Sequence, residues 1–178
     1  LDADNTTLGG DLTFQDNLGG FIIAGIDAGT NNVQLETIAT ITETGTITAA
    51  GLLLGSTGGY DLDTSNHAIT TLATTGTVGS IDFQDNTGFS IGTVTVTGGS
   101  TGNGITTSGV TTLTSTGTVT QTQAISVGAA ATLTLENGTF DLNDVNNAIS
   151  RLFTTSLGGD LTFKDDTGFS INGLDAVG

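Results

Sequence analysis

The chain has 178 residues, 18 of them acidic against 2 basic, for a formal net charge of −16, and it contains no Pro, Cys, Met or Trp. Arg151 and Lys164 are its only cationic side chains. That excludes nucleic-acid binding by phosphate neutralisation and disfavours an anionic membrane surface, while the lack of Cys excludes disulfides and zinc–thiolate sites. Charge is nevertheless sparse, at 11% of residues. The chain is instead rich in Thr, Val and Ile, which fit pleated strands and are scarce in disordered segments. The reading is a folded, all-β protein.

In chain order, the opening "LDADN" carries neither an initiator Met nor a signal peptide, and reads as an internal position in something longer. "DLTF" at 11–14 is the first short alternating run, and similar runs follow as "VTVT" at 94–97, "TTLT" at 111–114, "TVTQ" at 118–121 and "TLTLE" at 132–136. Period-two alternation over four to six residues predicts a strand with one buried face. The Gly, Asn and Asp between the runs predict turns. "GLLLG" at 51–55 is the longest apolar candidate, far short of a membrane span. In "DLNDVNNAISRLF" at 141–153, apolar residues fall at helical spacing. Its sister "DLDTSNHAITTLA" at 61–73 places Ser65 and Thr70–Thr71 where a helix is disfavoured. Both are therefore expected to be extended or looped.

Repetition is the strongest signal. Residues 60–91 align with 140–171 without a gap, half of the positions being identical, and "LGGDLTF" occurs at 8–14 and again at 157–163. A hexapeptide carries Phe14 and Asp16, Phe83 and Asp85, and Phe163 and Asp165 in its three copies. A second unit, D-x4-N, carries Asn32, Asn66 and Asn146. The approximate units are 8–75, 76–156 and a partial 157–178, all within a single segment 1–178. The expectation is one long period plus an overlap, taken from a tandem array.

Short strands that recur every coil-sized step predict a β-solenoid, whose turns cannot bury their apolar face alone and must stack on neighbours. At about 22 residues a turn and ~4.8 Å between turns, the chain holds about eight coils in a rod ~40 Å long with open ends. Absence of Pro suits uninterrupted ladders. On this reading Phe14, Phe83 and Phe163 plug equivalent positions several coils apart. Asn32, Asn66 and Asn146 stack at turns, where they bridge successive coils and satisfy turn backbone groups.

Chemistry has little to draw on, and no enzymatic activity is expected. His67, the single histidine, aligns with Asn147 and reads as a turn or surface residue. Tyr60, the single tyrosine, aligns with Phe140 and reads as packing. Asp82 with Asp85, and Asp160 with Asp165 and Asp166, are the pairs that could converge as in polyanion-cleaving β-helices. Asp82 and Asp160, however, align with Thr162 and Ser80 in the sister copies. No resident cofactor is expected. Asp2/Asp4, Asp16/Asn17, Asp85/Asn86 and Asp165/Asp166 supply hard-oxygen groups at turns, which allows at most weak Ca²⁺ binding against plain surface solvation. Sequons at Asn5 and Asn137 permit glycosylation. The Thr-rich "TVTVT" lacks the in-register Thr that an ice-binding face requires.

At 119–171 the sequence resembles the repeat region of filamentous haemagglutinin-type exoproteins, the large passengers of bacterial two-partner secretion. The resemblance rests on Val119–Thr120–Gln121, Phe140–Asp141–Leu142, Asn146, Leu152, Gly159 to Phe163 and Thr167–Gly168–Phe169. It implies a right-handed parallel β-helix, extracellular and at the cell surface or in a secreted fibre. The implied role is a structural filament, sheath or stalk, or else an adhesin whose flank binds a glycan or host surface. Expected partners are adjacent repeats or identical subunits stacked end to end, with neither nucleic acid nor membrane insertion.

Overall fold

The structure, a computed structural model, describes residues 2–4 and 9–175. Every regular element among them is a strand, and apart from one hairpin the strands stack in parallel as about 8 coils of a β-solenoid. Two principal faces run along the axis. One is built from Leu12–Asp16, Asn32–Thr37, Ile47–Gly55, the later part of Gly59–Thr75, Ser90–Ile91, Thr118–Gln121, Thr139–Leu142 and Leu161–Phe163. The other is built from Ile22–Ile23, Thr40–Glu43, the earlier part of Gly59–Thr75, Ile81–Asp85, Thr111–Ser115, Leu133–Glu136, Arg151–Thr155 and Ser170–Gly173. A short third side carries Ile105–Thr107 against Ile125–Val127.

Register explains the core. On the first face Leu12 pairs with Val33, Val33 with Leu52, Leu52 with Leu72, and Leu72 with Ile91. On the second, Leu62, Phe83, Leu113, Leu135 and Thr154 form one inward column. Alternation sends every second side chain into this bore, so like residues stack on like along the axis. The corners between the faces turn at residues of positive φ: Ser56, Gly76, Asn137 and Ser156 each follow a strand in the left-handed region. Behind one corner, Gly58 lies so close to the turn below that a Cβ would collide with the Ala39 carbonyl oxygen.

The repeats map onto the coils in an uneven way. The first and last copies of "LGGDLTF" place Leu12–Asp16 and Leu161–Phe163 on the same face. The copies at 60–91 and 140–171 do not share a face. Tyr60 pairs with Ile81 on the second, whereas Phe140 pairs with Val119 and Leu161 on the first. Their separation is therefore not a whole number of turns. Most turns are of similar length, as from Val33 to Leu52 and on to Leu72, but Ile81 pairs with Thr111 across a distinctly longer one. The additional residues form an antiparallel hairpin, Thr93–Thr95 with Thr101–Asn103. It lies on the outside of the first face, where Val94 and Val96 cluster with Leu53 and Ala73. That cover explains "GLLLG": Leu52 and Leu54 fill the bore, and Leu53 points outward yet is fully buried.

The segment at 141–153 contains no helix, in agreement with its expected character, but the two copies differ in path. Gly59–Thr75 is one continuous strand, while 144–147 form a turn closed by the Asn147 amide on the Asp144 carbonyl, with the Asp144 carboxylate accepting the Asn146 amide.

Candidate functional site

The chemistry-bearing residues gather in three places: a turn clamp, a buried ionisable pair behind it, and an acidic strip on the outside of the second face. The clamp is centred on Asp85, which ends Ile81–Asp85 and is fully buried. Its Oδ1 accepts from the Thr87 amide at 2.7 Å, the Thr87 hydroxyl at 3.0 Å and the Gly88 amide at 2.8 Å. Its Oδ2 accepts from the Ile69 amide of the preceding turn at 3.0 Å. Asp165 repeats the whole set, with Thr167, Gly168 and Ile149. Asp16 repeats the local half, with Leu18 and Gly19. Burial pushes the Asp165 carboxyl up, but the four donors outweigh it and hold it below its ordinary 3.8. The aspartates of the hexapeptide therefore fold turns and staple coils.

Behind Asp85 lies His67, which is fully buried rather than at the surface. Within Gly59–Thr75 the register against the next turn shifts between Leu62 and His67, and the imidazole stacks on Phe83 at 5.3 Å between centroids. Its Nδ1 accepts the Ile47 amide at 2.9 Å. Its Nε2 lies 3.9 Å from Glu43 Oε1, and both Nε2 and Glu43 Oε2 are buried without a hydrogen-bond partner. Desolvation holds the imidazole below its ordinary 6.5, against the pull of the Glu43 and Asp85 carboxylates.

On the outside of the second face, Asp61 and Asp82 are register partners on adjacent turns. Burial, together with Asp63, Asp61 and Glu136, pushes the Asp82 carboxyl up to about 6. Asp61 is raised too, by burial and then by Asp63 and Glu43. A shallow groove of about 310 Å³ runs here between Thr40, Ser80 and Thr112. Asp82 and Asp85 do not converge: they sit an odd number of positions apart on one strand and so point to opposite sides. Asp82 is half-buried outside and Asp85 lies in the bore. Asp160 and Asp166 are exposed, apart from the clamp formed by Asp165. Among the described residues no three His, Cys, Asp or Glu side chains gather as a metal-ligating group. The side chains of Asp2 and Asp4, and Asn5 with its sequon, lie outside the described residues; Asn137 is an exposed turn residue.

The three asparagines do not stack on one another. Asn32 donates to the Thr95 carbonyl of the hairpin, Asn66 accepts from Gln84 one turn on, and Asn146 bonds to Asp144 within its own turn. Of the three only Asn66 reaches the next turn, and at the surface; in the second and third copies the residue that follows makes a buried tie between turns. Asn147 is buried, accepts from the Ile125 amide at 2.8 Å and donates to the Lys164 carbonyl at 2.9 Å. The alignment of His67 with Asn147 was the available signal: two polar residues capable of accepting a hydrogen bond at one repeat position. Phe83 is fully buried on the second face, while Phe14 and Phe163 are half-buried on the first, at opposite ends of the rod. Phe83 and Phe163 do keep one local arrangement, edge-on to Phe89 and Phe169 respectively. Tyr60 is packed as expected, and its hydroxyl adds a role, accepting the Gly55 amide at 3.0 Å and reaching the Leu35 carbonyl at 2.8 Å.

The fold and these sites define a β-solenoid whose buried polar groups tie turn to turn. Comparison with family models, with curated proteins and with solved structures found no match.

Proposed function

We propose that this chain is a structural repeat segment of a secreted bacterial extracellular filament, sheath or surface stalk. One observation carries the reading: the copies of "LGGDLTF" near the two ends of the chain fall on the same face of a continuous parallel stack. A tandem series built on that period keeps its faces aligned and extends as a straight-sided rod. The resemblance to filamentous haemagglutinin-type exoproteins supports the extracellular setting. So does the surface, since a net charge of −16 keeps neighbouring rods apart. Growth proceeds through adjacent repeats or identical subunits that extend the parallel ladders strand by strand.

The test is electron microscopy of the parent polypeptide, with a glycan array alongside it. Rods whose length grows by ~4.8 Å per coil support the proposal. Separate beads, or saturable glycan binding by the flank, move the function to a folded adhesin module.

A further inference from the structure

Two sites, each centred on a fully buried side chain, share one construction and differ in ionisation and in how completely they are hydrogen-bonded. In each, a side chain on one turn accepts a backbone amide from the turn before: His67 Nδ1 from Ile47, and Asn147 Oδ1 from Ile125. In each, a long side chain from that earlier turn reaches in to accept a backbone amide: Glu43 from Ser65 at 2.7 Å, and Gln121 from Asp144 at 3.3 Å. In each, an aspartate on the following turn holds an amide just past the tether, that of Ile69 or Ile149. The Asn147–Gln121 site is neutral, and its amides bond to each other. The His67–Glu43 site is ionisable and incomplete, with His67 Nε2 and Glu43 Oε2 lacking partners and both side chains 0% exposed.

We propose that His67 and Glu43 form a proton-operated clamp between successive turns: the neutral imidazole holds the Ile47 amide, and a second ring proton releases it. The geometry fixes how. Because Nδ1 accepts the Ile47 N–H, the single proton of the neutral ring sits on Nε2. A further proton must enter at Nδ1, where it meets the Ile47 N–H donor to donor and the bond is lost. The new charge faces Glu43, whose Oε2 has no competing donor, on the preceding turn. On the following turn it faces Asp85, whose oxygens are engaged by Ile69, Thr87 and Gly88. The Leu62 carbonyl on its own strand faces the ring as well. No Lys or Arg is among these groups. Ile47 begins the strand Ile47–Gly55, so its release loosens one turn at the N-terminal half of the rod. The Asn147 tether cannot titrate, and the C-terminal half stays closed.

The sign follows from linkage. Folding lowers the His67 pKa, so the hold is complete above the unfolded value near 6.5 and is lost as pH falls through the folded value.

The experiment is NMR on the intact chain, in which the one histidine gives a single set of imidazole signals, its two ring nitrogens reporting the tautomer. The expected results are an Nε2–H tautomer at pH 7.5 and titration below pH 6.5. Amide protection of Ile47 then falls by up to about tenfold per pH unit in that window, while Ile125 holds. H67N, or H67N/E43Q, which copies the sister site, abolishes the pH dependence at Ile47. An Nδ1–H tautomer, equal loss at Ile47 and Ile125, or a pH dependence that survives in H67N overturns the proposal. If H67N does not fold, the tautomer and the Ile47–Ile125 comparison in the unmodified chain decide it.

Discussion

Replacing Asp85 by Ala tests whether the buried turn clamp, rather than ladder pairing alone, holds the coils. Asp85 accepts three backbone amides and one hydroxyl while fully buried. In D85A the exposed Thr87 recovers water, but the Ile69 amide lies in the core and does not. A stranded buried donor costs ~1–3 kcal/mol, and a lost bond to a charged acceptor ~1.5–3 kcal/mol. Relief of the carboxylate's own burial offsets part of the loss. The expected destabilisation is therefore about 3–5 kcal/mol. Asp165 makes the same bonds at a half-exposed position on the last described turns. Water can replace it at the exposed Thr167 and Gly168 amides, which leaves the Ile149 amide as the one stranded donor beside a half-exposed site, so D165A is expected to cost less, about 1–2 kcal/mol. The assay is urea unfolding followed by far-ultraviolet circular dichroism, since the chain has no Trp. The comparison is the midpoint shift at unchanged m. Equal losses in the two variants, or a larger one in D165A, would refute the reasoning, because burial is the variable that separates them.

Tyr60→Phe leaves the Gly55 amide and the Leu35 carbonyl without their hydroxyl partner and is expected to cost about 2–4 kcal/mol in the same assay; a loss below ~0.5 kcal/mol counts against the role of the hydroxyl. Asp82, raised to about 6, binds a proton more readily folded than unfolded, so its charge opposes folding above that pH and the penalty fades as pH falls toward 4. D82N is accordingly expected to raise the melting temperature at pH 7.5 but not at pH 4.5, and a shift of equal size at both pH values would contradict it. Asp165 runs the other way: its lowered pKa gives stability that is present above pH 4 and lost below, so D165N should remove part of the acid sensitivity seen below pH 4 by calorimetry. Gly102→Val drives a Cβ into Leu53 Cδ1 and the Thr74 carbonyl oxygen. It is expected to lift the hairpin and raise its rate of proteolytic cleavage by tenfold or more, with the solenoid's circular dichroism unchanged.

The all-β class, the stacking of coil on coil and the approximate coil length were all set by local pattern: alternation that needs one buried face, and repetition that lets neighbours bury it. The same pattern marked Asp85 and Asp165, because each precedes a Thr-Gly pair that folds the same turn in both copies. Three things were decided only by tertiary structure. The sister copies at 60–91 and 140–171 fall on different faces, and one runs as a continuous strand where the other turns, since a repeat fixes neither how much chain the turns consume nor what packs beside each copy. "TVTVT" became half of a lid over Leu53, because nothing in or beside a run shows what lies across its outer side. His67, which reads as a polar turn residue beside Asn66, entered the core because the continuous strand Gly59–Thr75 aims it inward. Its partner Glu43 is remote in sequence, and the two meet only because one full turn brings them level. Local chemistry determines the shape of each coil, whereas contacts between coils depend on summed turn lengths, which no short stretch of sequence encodes.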